Sequence, residues 1–159
     1  MKKYMLVLFS YCGLKKISKH LKKKLKPEDK LFVRAIMLEG VPKLSEHLIS
    51  DVGVLGKKVV SDLENSVVDI YQDNAKNYLD ELKKMAAEKS FILDKKLIQQ
   101  HNLKKLKEDI KSTELDGIFI NFSHNEFVSD QVKEEEIKEW LEKIELPKDI
   151  FYDGKRKNK

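Results

Sequence analysis

The chain has 159 residues, of which 41% are hydrophobic and 37% are charged, and its net charge is +5. This length suits one globular domain. No stretch approaches the roughly 20 apolar residues of a membrane span, and the single cysteine, Cys12, excludes an internal disulfide framework. The basic start precedes only a short apolar run without a cleavage site, which excludes a signal peptide. We therefore expect a soluble, cytoplasmic protein that does not act at a membrane.

Two apolar runs near the start predict a first strand–helix–strand unit. Tyr4–Phe9 is continuously apolar, which is typical of a central parallel strand covered on both faces. Leucine and isoleucine residues then recur at helical spacing, with lysines on the opposite face, until Pro27 ends the helix. Leu31–Leu38 predicts the second strand.

Residues 39–60 are harder to interpret because three glycines and a proline punctuate them. We expect a long excursion there, with a short helix near Leu44–Ile49. Ser61 with Glu64 three residues later matches a capping box. This match predicts that a long helix begins at Ser61 and ends near residue 89.

The rest of the chain predicts three further strands with two helices between them. The strands are Phe91–Gln99, Gly117–Phe122 and the short Ile150–Tyr152. His101 or Asn102 is expected to open the first of these helices. Ser129 or Asp130 is expected to cap the second, because short polar side chains satisfy the first main-chain N–H groups of a helix.

This alternation of strands and helices predicts the fold class. Strands that alternate with helices pair in parallel through right-handed crossovers. We predict a three-layer, Rossmann-like α/β/α sandwich with a five-stranded parallel sheet, in one domain over residues 1–153. Residues 154–159 are predicted to form a basic, flexible tail. Ligands of such folds bind at the carboxyl ends of the strands, beside a topological switch point.

The order of these elements resembles that of the universal stress protein family. The resemblance rests on Lys3–Phe9 and Lys30–Leu38 as the first two strands, Ser61–Lys89 as the long second helix, and Phe91–Phe122 as the strand–helix–strand passage after it. It covers most of residues 2–153. It implies a parallel sheet of strand order 3-2-1-4-5 and a homodimer, which often forms through the last strand.

One branch of that family binds ATP, and this chain departs from its pattern. That branch has an acidic residue after the first strand and a motif Gly-x2-Gly-x9-Gly-[Ser/Thr] after the fourth. Here Ser10 and Tyr11 follow the first strand, and no glycine lies between Gly117 and Gly154. A phosphate cradle needs main-chain N–H groups that no Cβ obstructs. We therefore expect no cofactor, and the alternative is ATP or AMP bound through non-standard contacts.

Polar residues follow the first and fourth strands, which should be neighbours with connections leaving to opposite faces. We expect these residues to line a crevice that binds a small polar ligand. The candidates are Ser10, Tyr11, Asn121, Ser123 and His124, together with Cys12 and Asn125. The plainer interpretation is that these groups cap turns and bond one another.

Other motifs give weaker signals. Cys12 could pair with His124 as a nucleophile, although a buried and inert cysteine fits the pattern better. Gly53–Lys58 has some features of a Walker loop, but its glycine spacing is too short and no Ser or Thr follows the lysine. The four histidines show no metal-ligand spacing. We therefore expect no metal site and no catalytic residue.

Positive charge is concentrated at the two ends of the sequence. Residues 1–30 carry +8 and residues 155–159 carry +4. Seven lysines on or beside the first helix could attract nucleic acid or an acidic protein. That helix has no aromatic residue on which bases could stack, so we expect no specific nucleic-acid binding. A solvated helix face is the plainer interpretation.

Together these patterns favour a non-enzymatic binding or regulatory module that is similar to universal stress proteins and forms a homodimer. Its small-molecule or protein partner is unknown. The alternatives are a nucleotide-binding stress protein with non-standard contacts, and an electrostatic partner of nucleic acid or acidic protein that uses the first helix. The dimer would form through the last strand or through the long-helix stripe that carries Tyr71 and Tyr78.

Overall fold

The central sheet has six strands in the order β3-β2-β1-β4-β5-β6. The computed structural model describes residues 1–37, 42–124 and 133–157, with residues 42–61, 63, 64 and 67 described by their backbone only. The strands are β1 (Lys3–Leu8), β2 (Lys30–Met37), β3 (Ile92–Gln99), β4 (Gly117–Phe122), β5 (Lys148–Tyr152) and β6 (Lys155–Arg156). The helices are α1 (Leu14–Lys24), α2 (Pro42–Lys89), α3 (Leu103–Ser112) and α4 (Glu134–Glu142).

The first five strands are parallel and follow the order 3-2-1-4-5, so the predicted α/β class is confirmed. The sixth strand was not predicted. It lies in the segment expected to be a tail and pairs antiparallel with β5. Arg156 on this strand donates to the Asp149 carboxylate, which also lies 3.2 Å from His20 Nε2. These contacts tie β6 to β5, and β5 to α1.

Helices cover both faces of the sheet, which gives the three layers. The strands need apolar residues on both faces, which is why β1 and β4 are continuously buried. On one face, α1 and α2 pack against β1 and β2 through Ile17, Leu21, Leu82, Leu6, Leu31 and Val33. On the other face, α3 and α4 pack through Leu106, Ile110, Ile137, Leu141, Val7 and Ile120. None of the described helices combines the length and apolarity that crossing a membrane requires.

The long helix α2 begins at Pro42, so the predicted start at Ser61 is wrong. The pair Ser61 and Glu64 lies inside the helix and therefore caps nothing. Each glycine lowers helix stability by only about 1 kcal/mol relative to alanine, and Leu55, Lys57 and Lys58 beside the glycines favour a helix. The 48 residues of α2 span about 72 Å. The predicted caps Ser129 and Asp130 lie outside the described residues.

A buried arginine links three elements on the α3 side of the sheet. The side chain of Arg34, on β2, is only 3% exposed. Its Nε donates to Asp109 of α3 at 2.7 Å, and its Nη1 donates to Asp94 of β3 at 2.9 Å. Nη1 also donates to the Val33 carbonyl at 3.0 Å. The guanidinium charge is thus compensated by two carboxylates that belong to two other elements.

Asp29 fixes the turn between α1 and β2. Its carboxylate accepts hydrogen bonds from the main-chain N–H groups of Lys2 at 2.8 Å and of Lys26 at 2.9 Å. Burial would raise the pKa of Asp29, but these two hydrogen bonds and the positive charge of Lys2 outweigh burial. They hold the pKa of Asp29 below its ordinary value.

The depressed pKa of Asp29 predicts a pH-dependent contribution to stability. The contribution is complete above the pKa of the unfolded chain, about 3.9, and is lost as the pH falls through the folded pKa. We expect Asp29→Asn to lower the free energy of unfolding by about 1–3 kcal/mol at pH 7. The difference in the free energy of unfolding between Asp29→Asn and wild type should shrink towards pH 3. Urea unfolding at both pH values measures it, and the exposed Asp80 provides the control Asp80→Asn. An equal loss at both pH values would contradict this assignment.

Candidate functional site

The topological switch point lies between β1 and β4, as the sequence predicted from the strand order. These strands are neighbours, with Leu8 beside Asn121. The connection after β1 leads to α1 on one face, and the connection after β4 leads to α4 on the other. The predicted crevice residues therefore do converge at one place on the sheet. Asn125, the further candidate, lies outside the described residues.

Asn121 is the centre of this place and is fully buried. Its Nδ2 donates to the carbonyl oxygens of Ser10 at 2.9 Å and of Cys12 at 3.2 Å. Its Oδ1 accepts from the N–H group of Gly154 at 2.9 Å. Both amide protons and the amide oxygen are thus engaged. The side chain of Asn121 joins the loop after β1 to the turn after β5.

That turn, Asp153–Gly154, occupies the crevice. The Ser10 hydroxyl donates to Asp153 Oδ1 at 2.5 Å, and the His124 N–H group donates to Asp153 Oδ2 at 3.0 Å. The Cys12 N–H group donates to Ser10 Oγ at 3.1 Å. One carboxylate therefore bridges the loops that follow β1 and β4. The sequence analysis assigned no role to Asp153, although an Asp-Gly pair after a strand is a turn signal.

Two glycines make this closure possible. Gly13 and Gly154 have φ angles of +70° and +79°, in the left-handed region. A Cβ on Gly13 would lie 2.0 Å from the carbonyl oxygen of Asp153, and a Cβ on Gly154 would lie 2.2 Å from the carbonyl oxygen of Gly13. Only two glycines allow main chains to approach this closely. We refer to Asn121, Ser10, Gly13, Asp153 and Gly154 as the closure.

Tyr11 points into the core beside the crevice. Its hydroxyl donates to the Ile36 carbonyl at 3.0 Å, and its ring meets that of Tyr71 edge to face, with centroids 4.7 Å apart. The Tyr71 hydroxyl donates to the Phe9 carbonyl. Burial raises the pKa of both tyrosines well above the ordinary value, so both remain protonated donors at neutral pH.

Ser123 and His124 lie at the rim, towards α4. The Ser123 N–H group donates to Glu134 Oε1 at 3.1 Å. The His124 ring stacks on Tyr152, with centroids 5.1 Å apart. Among the described residues, no hydrogen bond joins His124 to Cys12. The expectation of a buried cysteine is wrong, because Cys12 is exposed just before α1. It precedes Gly13 and its main chain is held by Ser10 and Asn121.

A cavity of about 530 Å³ opens beside the closure, between the first turn of α1 and the C-terminal part of α2. Most of its lining residues carry a polar group, although the larger share of its wall surface is apolar. The walls are formed by Tyr11, Gly13, Leu14, Lys15, Lys16, Asn74, Asn77, Tyr78 and Glu81. The Tyr78 hydroxyl lies 3.0 Å from Ser18 Oγ, and burial raises the pKa of Tyr78 well above its ordinary value. Tyr11 and Gly13 belong to both the cavity and the crevice region.

The structure also shows where two other features of the sequence analysis lie. Gly53–Lys58 lies inside α2, where the backbone is helical, so it is not a phosphate loop. Lys22, Lys23 and Lys24 form the last turn of α1, where positive charge favours the helix dipole. In the described part of the chain, no group of three or more His, Cys, Asp or Glu residues is arranged to hold a metal ion.

Comparisons with known proteins support the fold. No family model matches the chain, and no curated protein matches it in sequence. Among solved structures, hypothetical protein MJ0577 matches with a TM-score of 0.53 and 18% identity, over 100% of this chain and 99% of that one. Hypothetical protein PH0823 matches with a TM-score of 0.49 and 14% identity, over 100% of both chains. MJ0577 has the universal stress protein fold, and this chain resembles it in fold.

Proposed function

We propose that this chain is a universal-stress-protein-like binding module that has no catalytic activity and works as a homodimer. The observation that carries the proposal is the closure. Its polar groups bond one another, so they stabilise the switch point instead of facing a substrate. A small polar ligand would occupy the neighbouring cavity, which shares Gly13 and Tyr11 with the crevice region. The likeness in fold to MJ0577 is consistent with this role.

The cavity is suited to recognition by hydrogen bonds. Its volume lies within the range of roughly 300–1,000 Å³ that is typical of small-molecule pockets. Asn74 and Asn77 offer both donors and acceptors, Lys15 and Lys16 offer positive charge, and Glu81 offers one carboxylate. A ligand held between α1 and α2 would stabilise the folded chain, because it would bind the folded state alone.

Ligand screening by thermal unfolding tests this proposal. A ligand at 100 times its dissociation constant stabilises by about 2.7 kcal/mol, which raises the melting temperature by several degrees. We expect one or more small polar compounds to give this rise without being consumed, as followed by NMR in the same samples. Lys15→Gln with Lys16→Gln should reduce the rise. The matched control on α1, Lys22→Gln with Lys23→Gln, should preserve it.

Two results would contradict the proposal. Conversion of the bound compound into product would make the chain an enzyme. A rise in melting temperature that is unchanged by the Lys15 and Lys16 substitutions would place the ligand outside the cavity.

Nucleotide binding is the second candidate, and the position of two lysines favours it. Lys15 and Lys16 lie in the first turn of α1, where main-chain N–H groups also attract anions. The discriminating pair of probes is AMP and adenosine, each tested with and without Mg²⁺. A melting-temperature rise with AMP but not with adenosine supports phosphate recognition at the cavity. Equal rises in melting temperature with AMP and with adenosine argue against phosphate recognition at the cavity.

A further inference from the structure

We infer that two copies of this chain associate through the outer edges of their β3 strands, which pair antiparallel about a twofold axis. This inference rests on the proposed homodimer and names its interface. The sheet ends at β3, which pairs with β2 along all eight of its residues. Among the described residues, no strand pairs with the outer edge of β3.

The other two candidate surfaces, the outer edge of β5 and the α2 stripe, are already covered by contacts within one copy. The outer edge of β5 is covered at Phe151 and Tyr152 by β6, and the Ile150 carbonyl accepts from the Lys157 N–H group. The α2 stripe faces the core, where Tyr78 is buried and Tyr71 packs beside Tyr11. A second copy could not use either surface without displacing these contacts.

The main chain of β3 has a free outer edge with a defined pattern. Ile92 donates to the Asp29 carbonyl, so Ile92 and the alternate residues after it direct their main-chain groups towards β2. Leu93, Lys95 and Leu97 therefore direct their N–H and C=O groups outwards. An antiparallel partner strand would bond these three residues and form about six main-chain hydrogen bonds.

The side chains select one register. Placing Lys95 opposite its own copy puts Leu93 opposite Leu97 on the α2 face and Asp94 opposite Lys96 on the α3 face. Sliding one strand by two residues in one direction would put Asp94 opposite Asp94. Sliding it in the other direction would put Lys96 opposite Lys96. The favoured register contains one like-charged pair, Lys95 with its copy, and Lys95 Nζ lies 3.9 Å from Asp80.

Exposed apolar surface marks the same edge. Ile92 is 51% exposed and Leu97 is 47% exposed, and they are two of the four exposed large hydrophobic residues in the described part of the chain. Leu97 also lines a groove of about 320 Å³ between β3 and α2, together with Leu79 and Lys76. The partner's Leu93 would cover Leu97 at this groove. Burial of such pairs is the usual source of affinity at an interface.

Sedimentation velocity of the full chain over a concentration series tests the interface. Leu97 occurs twice in a twofold dimer, so Leu97→Lys should raise the dimer dissociation constant at least about tenfold. The matched control is Ile70→Lys, because Ile70 on α2 is also a large exposed hydrophobic residue, 61% exposed, and lies away from β3. The control should leave the dissociation constant unchanged.

Cross-linking tests the register independently. In a Cys12→Ser background, Lys95→Cys should give a covalent dimer with a short thiol-reactive cross-linker, because each residue 95 faces its copy. Lys111→Cys, exposed on α3, should give none. A dimer that resists Leu97→Lys, or fails to cross-link through residue 95, would refute the interface while leaving the proposed binding function intact. A chain that is monomeric at all concentrations would refute both the interface and the homodimer.

Discussion

Replacing Gly13 with alanine is expected to lower the free energy of unfolding by about 2–5 kcal/mol. Two effects add. The residue must keep φ near +70°, a left-handed conformation that costs an alanine about 1–2 kcal/mol. The new Cβ would also lie 2.0 Å from the carbonyl oxygen of Asp153, so the turn after β5 must move away. That movement weakens the hydrogen bonds that hold Asn121 and Ser10. Denaturant unfolding at pH 7 measures the loss.

Gly117→Ala is the matched control for this prediction. A Cβ on Gly117 would meet the Tyr4 side chain at 3.3 Å, and the main chain there has no positive φ. Its stability should stay within about 1 kcal/mol of wild type. Gly154→Ala, which would obstruct the same approach from the other side, should behave like Gly13→Ala. Gly13→Ala with the stability of wild type would show that the two main chains do not meet.

Removal of both carboxylates around Arg34, with Asp94→Asn and Asp109→Asn together, is expected to lower the free energy of unfolding by about 3–5 kcal/mol. The guanidinium is 3% exposed and would remain charged with no compensating anion. A buried, uncompensated charge is among the most costly changes in a protein interior. Urea unfolding of the double variant at pH 7 provides the measurement.

A third substitution separates charge burial from loss of packing. Adding Arg34→Leu to the double variant removes the uncompensated charge, so part of the lost stability should return. Glu108→Gln on α3 is the control, because Glu108 is 63% exposed and pairs with the exposed Lys104, at 4.0 Å. Its effect should be below about 1 kcal/mol. If the triple variant is less stable than the double variant, the arginine contributes mainly by packing.

Much of the fold could be predicted from local patterns. The run Tyr4–Phe9 is apolar at every position, and only a strand covered on both faces buries all of them, so its central place in the sheet followed. The start of α2 could not be predicted, because Gly53 and Gly56 resemble loop residues locally. The Ser61–Glu64 pair has the spacing of a capping box, but the same spacing also occurs inside helices, so it does not mark a helix start.

The position of the candidate site could be predicted from the sequence, but the turn that fills the crevice could not. Strand order alone brings Ser10 and Asn121 together, and a sequence pattern can supply that order. What fills the space between them is Asp153–Gly154, from a turn far along the chain. No local signal connects Ser10 to Asp153, because the two residues are 143 positions apart. The short strand β6 was missed for a similar reason, since two residues carry too little pattern.

The distance along the chain between the two halves of the closure has a consequence during synthesis on the ribosome. Ser10 and Gly13 are translated early, whereas Asp153 follows 143 residues after Ser10. At about 5–20 residues per second, a nascent chain spends roughly 7–30 s with the first half made and the second half absent. Asn121 is made 33 residues before Gly154, so for roughly the last 2–7 s of that interval its amide and the loop after β1 have no turn to bond. A growing chain therefore presents an open crevice that the finished chain has closed.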